Sequence, residues 1–562
     1  MRGSKIVLES LKKEGVEIMF GIGGGAVIPI LDDLHDEKEL EFLLTRHEQA
    51  ASHMADGYAR ATGKVGVCLA TSGPGATNLV TGLATAFMDS VPVVAITGQV
   101  GTHLVGNDAF QEADTTGITR PVTKKNYLVI DVKDLAATIK EAFHLARTGR
   151  PGPVVIDLPK DVQISETEFN YPKKVNIRGY KPKIKGNSKQ IKLAAEAINK
   201  SERPVIYAGG GVIISNASEQ LRKFAKKGKL PVTNTLMGIG SFPAQSDLSL
   251  GMLGMHGTYY ANHSVQNSDL VIAIGARFDD RVTGRLEDFA SGAKIVHIDI
   301  DPTSISKNVR ADIPIVGDAK DILKSLTKQV KKKNRKDWHD KISAWKKQYP
   351  LTYNKEDGRL KPQYVVEKLW EVTKGKAVIA TEVGQCQMWA EQFYKYDEPR
   401  TFLTSGGLGT MGYGFPAAIG AKKGRPDSPV VDIAGDGSFQ MNIQELATCV
   451  VENIPVLILV LNNNYLGMVR QWQELFFDKR YSTVCLGKDN NCRVPDFAKV
   501  ARAYGAEGIT VKEPDEVVPA LEKALKVNDR PVVVDCLVDP EENVYPMVPG
   551  GAAIDEILLD MA

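Results

Sequence analysis

The chain has 562 residues, of which 43% are apolar and 25% are charged, and its formal net charge is +2. This length is too great for one hydrophobic core and favours about three or four domains of ordinary globular composition. The small net charge gives no support for nucleic-acid binding, and no apolar run approaches the roughly 18 residues that a membrane-spanning helix needs.

The first block of the chain, residues 1–170, alternates strand-like and helix-like segments. Buried strands are predicted by the apolar runs at residues 16–20, 65–70, 91–96 and 154–157. Glycine-rich turns follow several of these runs, and the alternation predicts a doubly wound parallel sheet. The next residues, 171–190, are rich in lysine and proline, and we interpret them as a linker.

Two further blocks continue this pattern. The strand-like runs of residues 191–330 begin at Pro204, Leu270 and Lys294. A polar stretch, residues 331–361, predicts a second linker with a solvated basic surface, and residues 362–562 form the third block. The sequence therefore predicts an α/β protein with three doubly wound parallel-sheet domains.

The N-terminus shows no targeting signal, because Met1 leads directly into an amphipathic helix pattern without the apolar stretch of a signal peptide. The six cysteines form no CxxC pair and show no zinc-ligand spacing; they are Cys68, Cys386, Cys449, Cys485, Cys492 and Cys536. We therefore expect a cytoplasmic protein without disulfides.

Two polar motifs follow consecutive strand-like runs in the third block. Gly435-Asp436-Gly437 follows the run at residues 428–434, and Asn462-Asn463 follows the run at residues 454–461. The segment between them, residues 438–450, predicts the crossover helix. Because parallel strands end at one edge of a sheet, Asp436 and Asn463 are expected to meet where open α/β sheets bind ligands.

A carboxylate and amide oxygens suit a hard cation that takes its other ligands from a phosphate. Gly437 lets a backbone approach closely, and a helix N-terminus at Ser438 favours an anion. Taken singly, each motif is more often an ordinary turn. At this spacing the pair resembles the diphosphate motif of thiamine-diphosphate enzymes, so we predict a metal-bridged diphosphate site.

Glu48 begins a helix-like segment rich in small residues, at Ala50, Ala51, Ala55 and Ala59. A lone glutamate on a helix is usually solvated, but this helix has the composition of a buried one. The first block resembles the pyrimidine-binding domain of thiamine-diphosphate enzymes, in which a glutamate hydrogen-bonds the aminopyrimidine. That resemblance implies that Glu48 is the catalytic activator, a role that needs a desolvated carboxylate.

Several longer motifs extend the resemblance over almost the whole chain. They include LLTRHEQ at residues 43–49, ATSGPGATNL at 70–79, RFDDRVTG at 277–284, SGGLGTMGYG at 405–414 and GMVRQW at 467–472. The third and the last are the more specific. On these motifs the chain resembles the family of acetolactate synthase catalytic (large) subunits, and this implies the thiamine-diphosphate enzyme fold.

The resemblance implies three cofactors. Mg²⁺ would be bound by Asp436, Asn463 and the backbone carbonyl of Tyr465. Thiamine diphosphate would be bound by Glu48 and by Val383, Gly384, Gln385, Gln387, Met411, Gly435, Asp436, Gly437, Ser438, Asn463, Tyr465, Gly467 and Met468. Met411 would fold the cofactor, although methionine is more commonly a flexible core filler.

A structural FAD is also implied, because the reaction has no net redox step. Its residues would be Arg150, Gly209, Gly210, Gly211, Leu253, His256, Gly257, Thr258, Gly275, Arg277, Asp279, Arg281, Asp299, Ile300 and Asp318. Arginines that follow a strand suit phosphate oxygens. Residues 191–330 contain no GxGxxG fingerprint, so the FAD expectation depends mostly on the resemblance.

Substrate residues are implied as well. Phe110, Gln111 and Lys160 match catalytic positions near the substrate path, although a surface role for Lys160 is equally compatible with the sequence. Trp472, with Val469 on the same segment, would select the second keto acid. A flat aromatic wall can favour an ethyl over a methyl group by roughly 1 kcal/mol.

The chain departs from the family pattern at four positions, which are Gly23, Gly101, Lys125 and Cys386. The first two replace prolines, and the last two replace histidines. The glycines are expected to loosen loops near the active site.

The predicted activity is decarboxylation of pyruvate and transfer of the hydroxyethyl unit to pyruvate or 2-ketobutyrate, in branched-chain amino-acid biosynthesis. The alternative is a pyruvate oxidase or decarboxylase of the same superfamily; a non-catalytic cofactor-binding scaffold is disfavoured by intact Glu48, Asp436 and Asn463. The resemblance implies a homodimer or homotetramer with its active site between subunits, and a small regulatory subunit is possible.

Overall fold

The computed structural model describes residues 1–355, 358–487 and 494–559. It contains three six-stranded sheets, and every strand pair is parallel. Helices connect the successive strands, as parallel pairing requires. The predicted fold class, three doubly wound parallel sheets, is confirmed.

The first sheet has the strand order β2-β1-β3-β4-β6-β5. Its strands are β1 (Ile18–Gly21), β2 (Glu41–Leu44), β3 (Gly66–Ala70), β4 (Val93–Gln99), β5 (Lys125–Leu128) and β6 (Val154–Pro159). Its helices are α1 (Gly3–Lys13), α2 (Ile28–His35), α3 (Glu48–Thr62), α4 (Pro74–Asn78), α5 (Val80–Asp89), α6 (Thr115–Thr119), α7 (Val132–Arg147) and α8 (Lys160–Ile164). The central strands β3, β4 and β6 are buried throughout, which explains their continuous apolar sequence.

The second sheet has the order β12-β11-β10-β7-β8-β9. Its strands are β7 (Pro204–Ala208), β8 (Val232–Asn234), β9 (Ser249–Met252), β10 (Leu270–Ile274), β11 (Lys294–Asp299) and β12 (Ile313–Val316). Its helices are α9 (Ser188–Lys200), α10 (Gly210–Ile214), α11 (Ser218–Gly228), α12 (Tyr259–Gln266), α13 (Asp280–Thr283) and α14 (Ala319–Gln329).

Helix α15 (Lys336–Gln348) lies within the stretch that we interpreted as the second linker. Trp338 and Ile342 of this helix are buried, and Trp338 Nε1 donates to the Pro204 carbonyl at 3.2 Å. Arg335 is also buried, and its guanidinium donates to the carbonyl oxygens of Ser201, Gly228 and Ile198. This part of the polar stretch is therefore attached to the second sheet.

The third sheet has the order β14-β13-β15-β16-β18-β17, the same relative order as the first. Its strands are β13 (Val378–Thr381), β14 (Phe402–Leu403), β15 (Val430–Gly435), β16 (Leu457–Asn462), β17 (Glu507–Val511) and β18 (Val532–Leu537). Its helices are α16 (Pro362–Thr373), α17 (Gln385–Phe393), α18 (Gly414–Gly424), α19 (Asp436–Phe439), α20 (Glu445–Val451), α21 (Gly467–Phe476), α22 (Phe497–Ala503) and α23 (Val517–Ala524). The expected single helix over residues 438–450 is wrong, because a 3₁₀ turn at Gln440–Asn442 separates α19 from α20.

One hydrophobic core joins the first and third sheets. It contains Phe20 and Met54 from the N-terminal part together with Phe415, Ile419 and Val456 from the C-terminal part. Helices α3 and α18 cross at the centre of this core. The two sheets therefore hold a fixed position relative to each other within one chain.

The cysteines of the described residues are of two kinds, free and disulfide-bonded. Cys68, Cys386, Cys449 and Cys536 are buried free thiols, but Cys485 is disulfide-bonded, so the expectation of no disulfide is wrong for Cys485. Cys492 lies outside the described residues. Within the described ranges, the search for a helix with the length and apolarity to cross a membrane finds none.

Candidate active site

The carboxyl ends of the neighbouring strands β15 and β16 bring the two polar motifs together. The strands pair in parallel, with Gly435 opposite Leu461, so Asp436 and Asn463 leave the sheet at one edge. Asp436 Oδ1 accepts from the Gly437 N–H at 3.0 Å. Its Oδ2 is buried and has no hydrogen-bond partner among the described residues. Burial raises the pKa of Asp436 to about 7. A buried carboxylate oxygen without a hydrogen-bond partner, as Oδ2 is among the described residues, fits a bound cation.

Asn463 is held by two hydrogen bonds in the turn after β16. Its Oδ1 accepts from the Tyr465 N–H at 3.0 Å, and its Nδ2 donates to Gln385 Oε1 at 3.2 Å. Within the described ranges no cluster of three or more His, Cys, Asp or Glu side chains could bind a metal. A cation at this edge would therefore use one carboxylate with amide and backbone oxygens, the hard ligands that Mg²⁺ accepts.

The loop that contains Met411 lies beside this edge. A β-carbon built on Gly437 would be 3.8 Å from Met411 Cε, which places Met411 next to the glycine turn. Glu382, which the sequence analysis did not single out, anchors the loop. Its carboxylate accepts from the N–H groups of Gly412 at 2.7 Å and Phe415 at 3.2 Å.

Asp432 of β15 pairs with Ala380 of β13, and both of its buried carboxylate oxygens have no hydrogen-bond partner among the described residues. Burial raises the pKa of both the Glu382 and the Asp432 carboxyl groups, and the charge of Glu382 raises that of Asp432 further. The negative charge of one buried carboxylate disfavours ionisation of the other. A buried acid in a strand interior is a signal that could have identified Asp432 from sequence.

The predicted residues of the first block lie at the carboxyl edge of the first sheet. Glu48 is the first residue of α3, and its Oε2 accepts from Asn78 Nδ2 at 2.9 Å. Lys160 is an exposed residue at the start of α8. Phe110 is 89% exposed, and Gln111 has a positive φ of 58° and lies against the Gly73 turn. The same turn, at Gly75, approaches Glu48 Oε1.

A cavity of about 780 Å³ lies at the carboxyl ends of the second sheet and extends to the third. This volume is in the range of small-molecule sites. The predicted FAD residues that line it are Arg150, Gly210, Gly211, Leu253, His256, Gly275, Arg277, Asp279, Arg281, Asp299, Ile300 and Asp318. The predicted thiamine-diphosphate and specificity residues that line it are Val383, Gly384, Gln387, Met468 and Trp472.

Other predicted residues do not line this cavity. Gly209 is against the Gly275 backbone, Gly257 is against residues 252–254, and Thr258 caps α12 by accepting from the Ala261 N–H at 3.1 Å. Gln385 points instead to Asn463 and Gln471. The residues of the Asp436 edge, and Glu48, Phe110, Gln111 and Lys160, also lie outside it. Within one chain the structure thus separates the predicted catalytic glutamate from the cavity.

The cavity combines positive charge with close backbone contacts. Arg150, Arg277 and Arg281 line it, and burial together with the positive charge of Arg277 lowers the pKa of Arg150. Burial raises the pKa of Asp299 to about 6. A β-carbon on Gly211 would be 2.7 Å from Gly275 Cα, so neither turn has room for a side chain. Clustered arginines beside glycine turns fit a ligand that carries phosphate groups.

Helix α21 presents Met468 and Trp472 to the cavity from the third domain. The Trp472 ring lies 5.1 Å from that of Phe476, and a β-carbon on Gly550 would be 3.4 Å from Trp472 Cη2. Val469 is 48% exposed and does not line the cavity. Trp472 therefore forms a wall of the cavity, and Val469 does not.

The four departures lie in different environments. A β-carbon on Gly23 would be 2.4 Å from Leu31 Cδ1, and one on Gly101 would be 2.8 Å from His103 Cε1. Lys125 is exposed, and its Nζ lies 5.3 Å from the Tyr127 ring centroid. Cys386 is buried, which raises the pKa of its thiol well above the usual range.

Comparison with known proteins gives consistent matches. The thiamine pyrophosphate enzyme N-terminal TPP binding domain matches residues 1–118, the central domain matches 191–326, and the C-terminal TPP binding domain matches 382–536. The acetolactate synthase of Mycobacterium bovis is 51% identical, over 99% of this chain and 91% of the relative. The acetolactate synthase large subunit of Haemophilus influenzae is 49% identical, over 100% of this chain and 98% of the relative. The corresponding subunit of Corynebacterium glutamicum is 49% identical, with 99% and 90% covered.

Proposed function

Because the chain belongs to the acetolactate synthase large-subunit family, within the thiamine pyrophosphate enzymes, we propose that it decarboxylates pyruvate and transfers the hydroxyethyl unit to a second 2-keto acid. The acceptors would be pyruvate and 2-ketobutyrate, for branched-chain amino-acid biosynthesis. One observation carries the proposal beyond the family name. The turn with Asn463 leads directly into the helix with Trp472, and Asp436 follows the neighbouring strand at the same sheet edge, which joins a cofactor anchor to a wall for the acceptor.

The proposed cofactor site uses residues from two sheet edges. Asp436, Asn463 and the Tyr465 carbonyl would bind Mg²⁺. Asp436 Oδ2, which has no hydrogen-bond partner among the described residues, supports this. When bound, thiamine diphosphate supplies an acidic carbon and an electron sink for decarboxylation. Glu48 would hold the aminopyrimidine, and its bond from Asn78 already orients one carboxylate oxygen. Met411 would support the cofactor from the loop that Glu382 anchors.

The proposed FAD site is the cavity of the second sheet. Arg150, Arg277 and Arg281 would neutralise its phosphates, and Asp299 would accept from polar groups of the nucleotide. The reaction has no net redox change, so FAD would act structurally. The polar and apolar side chains of this cavity would orient the ligand and exclude water.

We propose that the working active site forms between two copies of the chain, in a homodimer or homotetramer. Glu48 does not line the cavity with Trp472 in the same chain, and Phe110 is almost fully exposed at the Glu48 edge. In such an assembly, Glu48 of one copy, at the carboxyl edge of the first sheet, would face Asp436 of the other copy, at the carboxyl edge of the third sheet. Relatives named as large subunits support a small regulatory partner.

The proposed domains are a pyrimidine-binding domain at residues 1–170, an FAD-binding domain at residues 191–330, and a domain at residues 362–562 that binds the diphosphate and the metal. Residues 171–190 and 331–361 would link them. We place the protein in the cytoplasm on the four buried free thiols among the described residues, whereas the disulfide of Cys485 argues for an oxidising compartment.

The test is product identification with purified protein, pyruvate, thiamine diphosphate, Mg²⁺ and FAD. Acetolactate is the expected product, and 2-aceto-2-hydroxybutyrate is expected when 2-ketobutyrate is added. Acetaldehyde or acetyl phosphate in place of acetolactate would identify a decarboxylase or an oxidase and contradict the proposal.

A further inference from the structure

A row of three buried amides connects the turn after β16 to helix α21. Asn463 Nδ2 donates to Gln385 Oε1 at 3.2 Å, and Gln385 Nε2 donates to Gln471 Oε1 at 2.9 Å. Gln471 is completely buried, and Gln385 and Asn463 are 3% and 5% exposed. Sequence motifs suggested direct cofactor contact for Gln385 and did not indicate a role for Gln471.

Backbone groups determine the orientation of the Gln471 amide, which lies at the α21 end of this row. Gln471 Oε1 accepts from the Val544 N–H at 2.8 Å, and Gln471 Nε2 donates to the Val544 carbonyl at 3.0 Å. A backbone N–H can only donate and a carbonyl can only accept. Rotating the Gln471 amide by half a turn would therefore break both bonds, and its oxygen must face Gln385.

The same logic continues along the row. Gln385 Nε2 donates both to Gln471 Oε1 and to the Glu542 carbonyl, the latter at 3.0 Å, so both of its acceptors require the nitrogen at that position. Gln385 Oε1 is then left to accept from Asn463 Nδ2. The Asn463 amide consequently directs its nitrogen toward Gln385 and its oxygen toward the Tyr465 turn.

Helix α21 is built to keep this arrangement. A β-carbon on Gly467 would be 2.1 Å from Gln385 Oε1 and 2.6 Å from Asn463 Nδ2, so a side chain at this position would displace both amides. Arg470 Nη2 donates to the Glu542 carbonyl at 3.0 Å, one turn from Gly467. The face that carries Gly467, Arg470 and Gln471 is thus attached to residues 542–544, while Met468 and Trp472 line the cavity.

We propose that Gln471 is a positioning residue that, through Gln385, holds the Asn463 amide with its oxygen available to a divalent cation. This inference rests on the proposed function, because it assumes that Asn463 is a metal ligand. Without the Gln471 amide, the Val544 groups lose their partners and Gln385 keeps only one acceptor. Hydrogen-bond partners of metal ligands typically change metal affinity by about 10–100-fold.

The experiment titrates Mg²⁺ into cofactor-free protein at fixed thiamine diphosphate and measures binding by calorimetry, without reference to turnover. Gln471→Leu and Gln385→Leu are each expected to raise the half-saturating Mg²⁺ concentration by about 10–100-fold. The double variant should resemble Gln385→Leu, because residues that act through one another are not additive. Gln329→Leu, the same change on an exposed part of α14, should match the wild type.

Gln471→Glu retains an oxygen that accepts from the Val544 N–H and from Gln385 but places a second carboxylate oxygen against the Val544 carbonyl, so its Mg²⁺ affinity should lie between those of the wild type and Gln471→Leu. If Gln471→Leu does not fold, Gln385→Leu and Gln471→Glu decide the question. Wild-type Mg²⁺ half-saturation in Gln471→Leu or Gln385→Leu, or additive losses in the double variant, would overturn the inference. A wild-type protein that binds Mg²⁺ but forms no acetolactate would refute the proposed function alone.

Discussion

Gly57 in α3 lies directly against Ala417 in α18, and a β-carbon on Gly57 would come within 2.1 Å of the Ala417 carbonyl oxygen. On the same crossing, a β-carbon on Gly420 would be 1.9 Å from the Met54 carbonyl oxygen. The two helices therefore touch through their backbones. Because α3 begins at Glu48 and α18 follows the Met411 loop, this contact fixes the relative positions of two proposed cofactor elements.

Gly57→Ala should destabilise the chain, since the added methyl meets a backbone oxygen that cannot move without shifting α18. Overpacking of this kind costs roughly 1–3 kcal/mol. We expect a lower thermal midpoint, measured by circular dichroism. Gly292→Ala is the matched control, because a β-carbon there meets no described atom within 4 Å. Equal midpoints for the two variants would show that the helices separate easily.

Glu48→Gln should reduce turnover strongly. The amide keeps the size of the side chain but removes a carboxylate that would hold the aminopyrimidine, and general acid–base groups contribute about 10²–10⁴-fold. Steady-state production of acetolactate measures the loss, and cofactor binding should persist. Glu196→Gln, an exposed change on α9, is the control. Undiminished turnover in Glu48→Gln would remove Glu48 from the proposed mechanism.

Trp472→Leu should weaken the preference for 2-ketobutyrate over pyruvate as the acceptor. The Trp472 ring lines the cavity beside Met468. Without this apolar wall, the extra methylene of 2-ketobutyrate would lose roughly 0.8 kcal/mol of burial free energy, which is about a fourfold change in the product ratio. The measurement is competition between the two keto acids in one reaction. Trp370→Leu, remote on α16, should leave the ratio unchanged. An unchanged ratio in Trp472→Leu would contradict a specificity role.

Glu391 should make stability depend on pH. Its Oε2 is buried without a hydrogen-bond partner among the described residues, and burial raises the pKa of Glu391 from 4.5 to about 8. The folded state therefore binds the proton more tightly than the unfolded state. This contribution to stability is complete below pH 4.5 and is lost as the pH rises to about 8.

Glu391→Gln cannot ionise, so it should be more stable than the wild type at pH 8, with a difference that shrinks toward pH 5. Thermal midpoints across this range measure the effect. Glu522→Gln, on the exposed side of α23, should follow the wild type at every pH. A pH-independent difference between Glu391→Gln and the wild type would show that Glu391 does not titrate in this way.

The sequence predicted the central strands better than the edge strands. Strands β3, β4, β6, β15 and β16 are buried on both faces, and their apolar runs were visible. Strands β2 and β5 lie at the edges of the first sheet and carry exposed residues, so no continuous apolar run marked them. A two-residue strand such as β14 has too few residues for any pattern.

Local chemistry was also easier to predict than contacts between distant segments. Asp436 and Asn463 could be paired because both follow strands, and parallel strands end at one edge. The roles of Glu382 and Gln471 depend on groups that are far away in the chain, such as Gly412 and Val544. No spacing rule connects such residues, because folding and not chain distance brings them together.

The sequence by itself determined the three parallel sheets and the polar residues at their carboxyl ends. Local apolar runs predict buried strands, and their alternation with helices predicts that the strands are parallel, so the turns that follow them lie at one edge. Only the tertiary structure decided that Gln385 faces Asn463 and Gln471 and not the cavity, and that Glu48 lies apart from Trp472 in one chain. The physical reason is that side-chain direction depends on hydrogen bonds and packing between segments that are distant in the chain, such as the Gly57–Ala417 crossing.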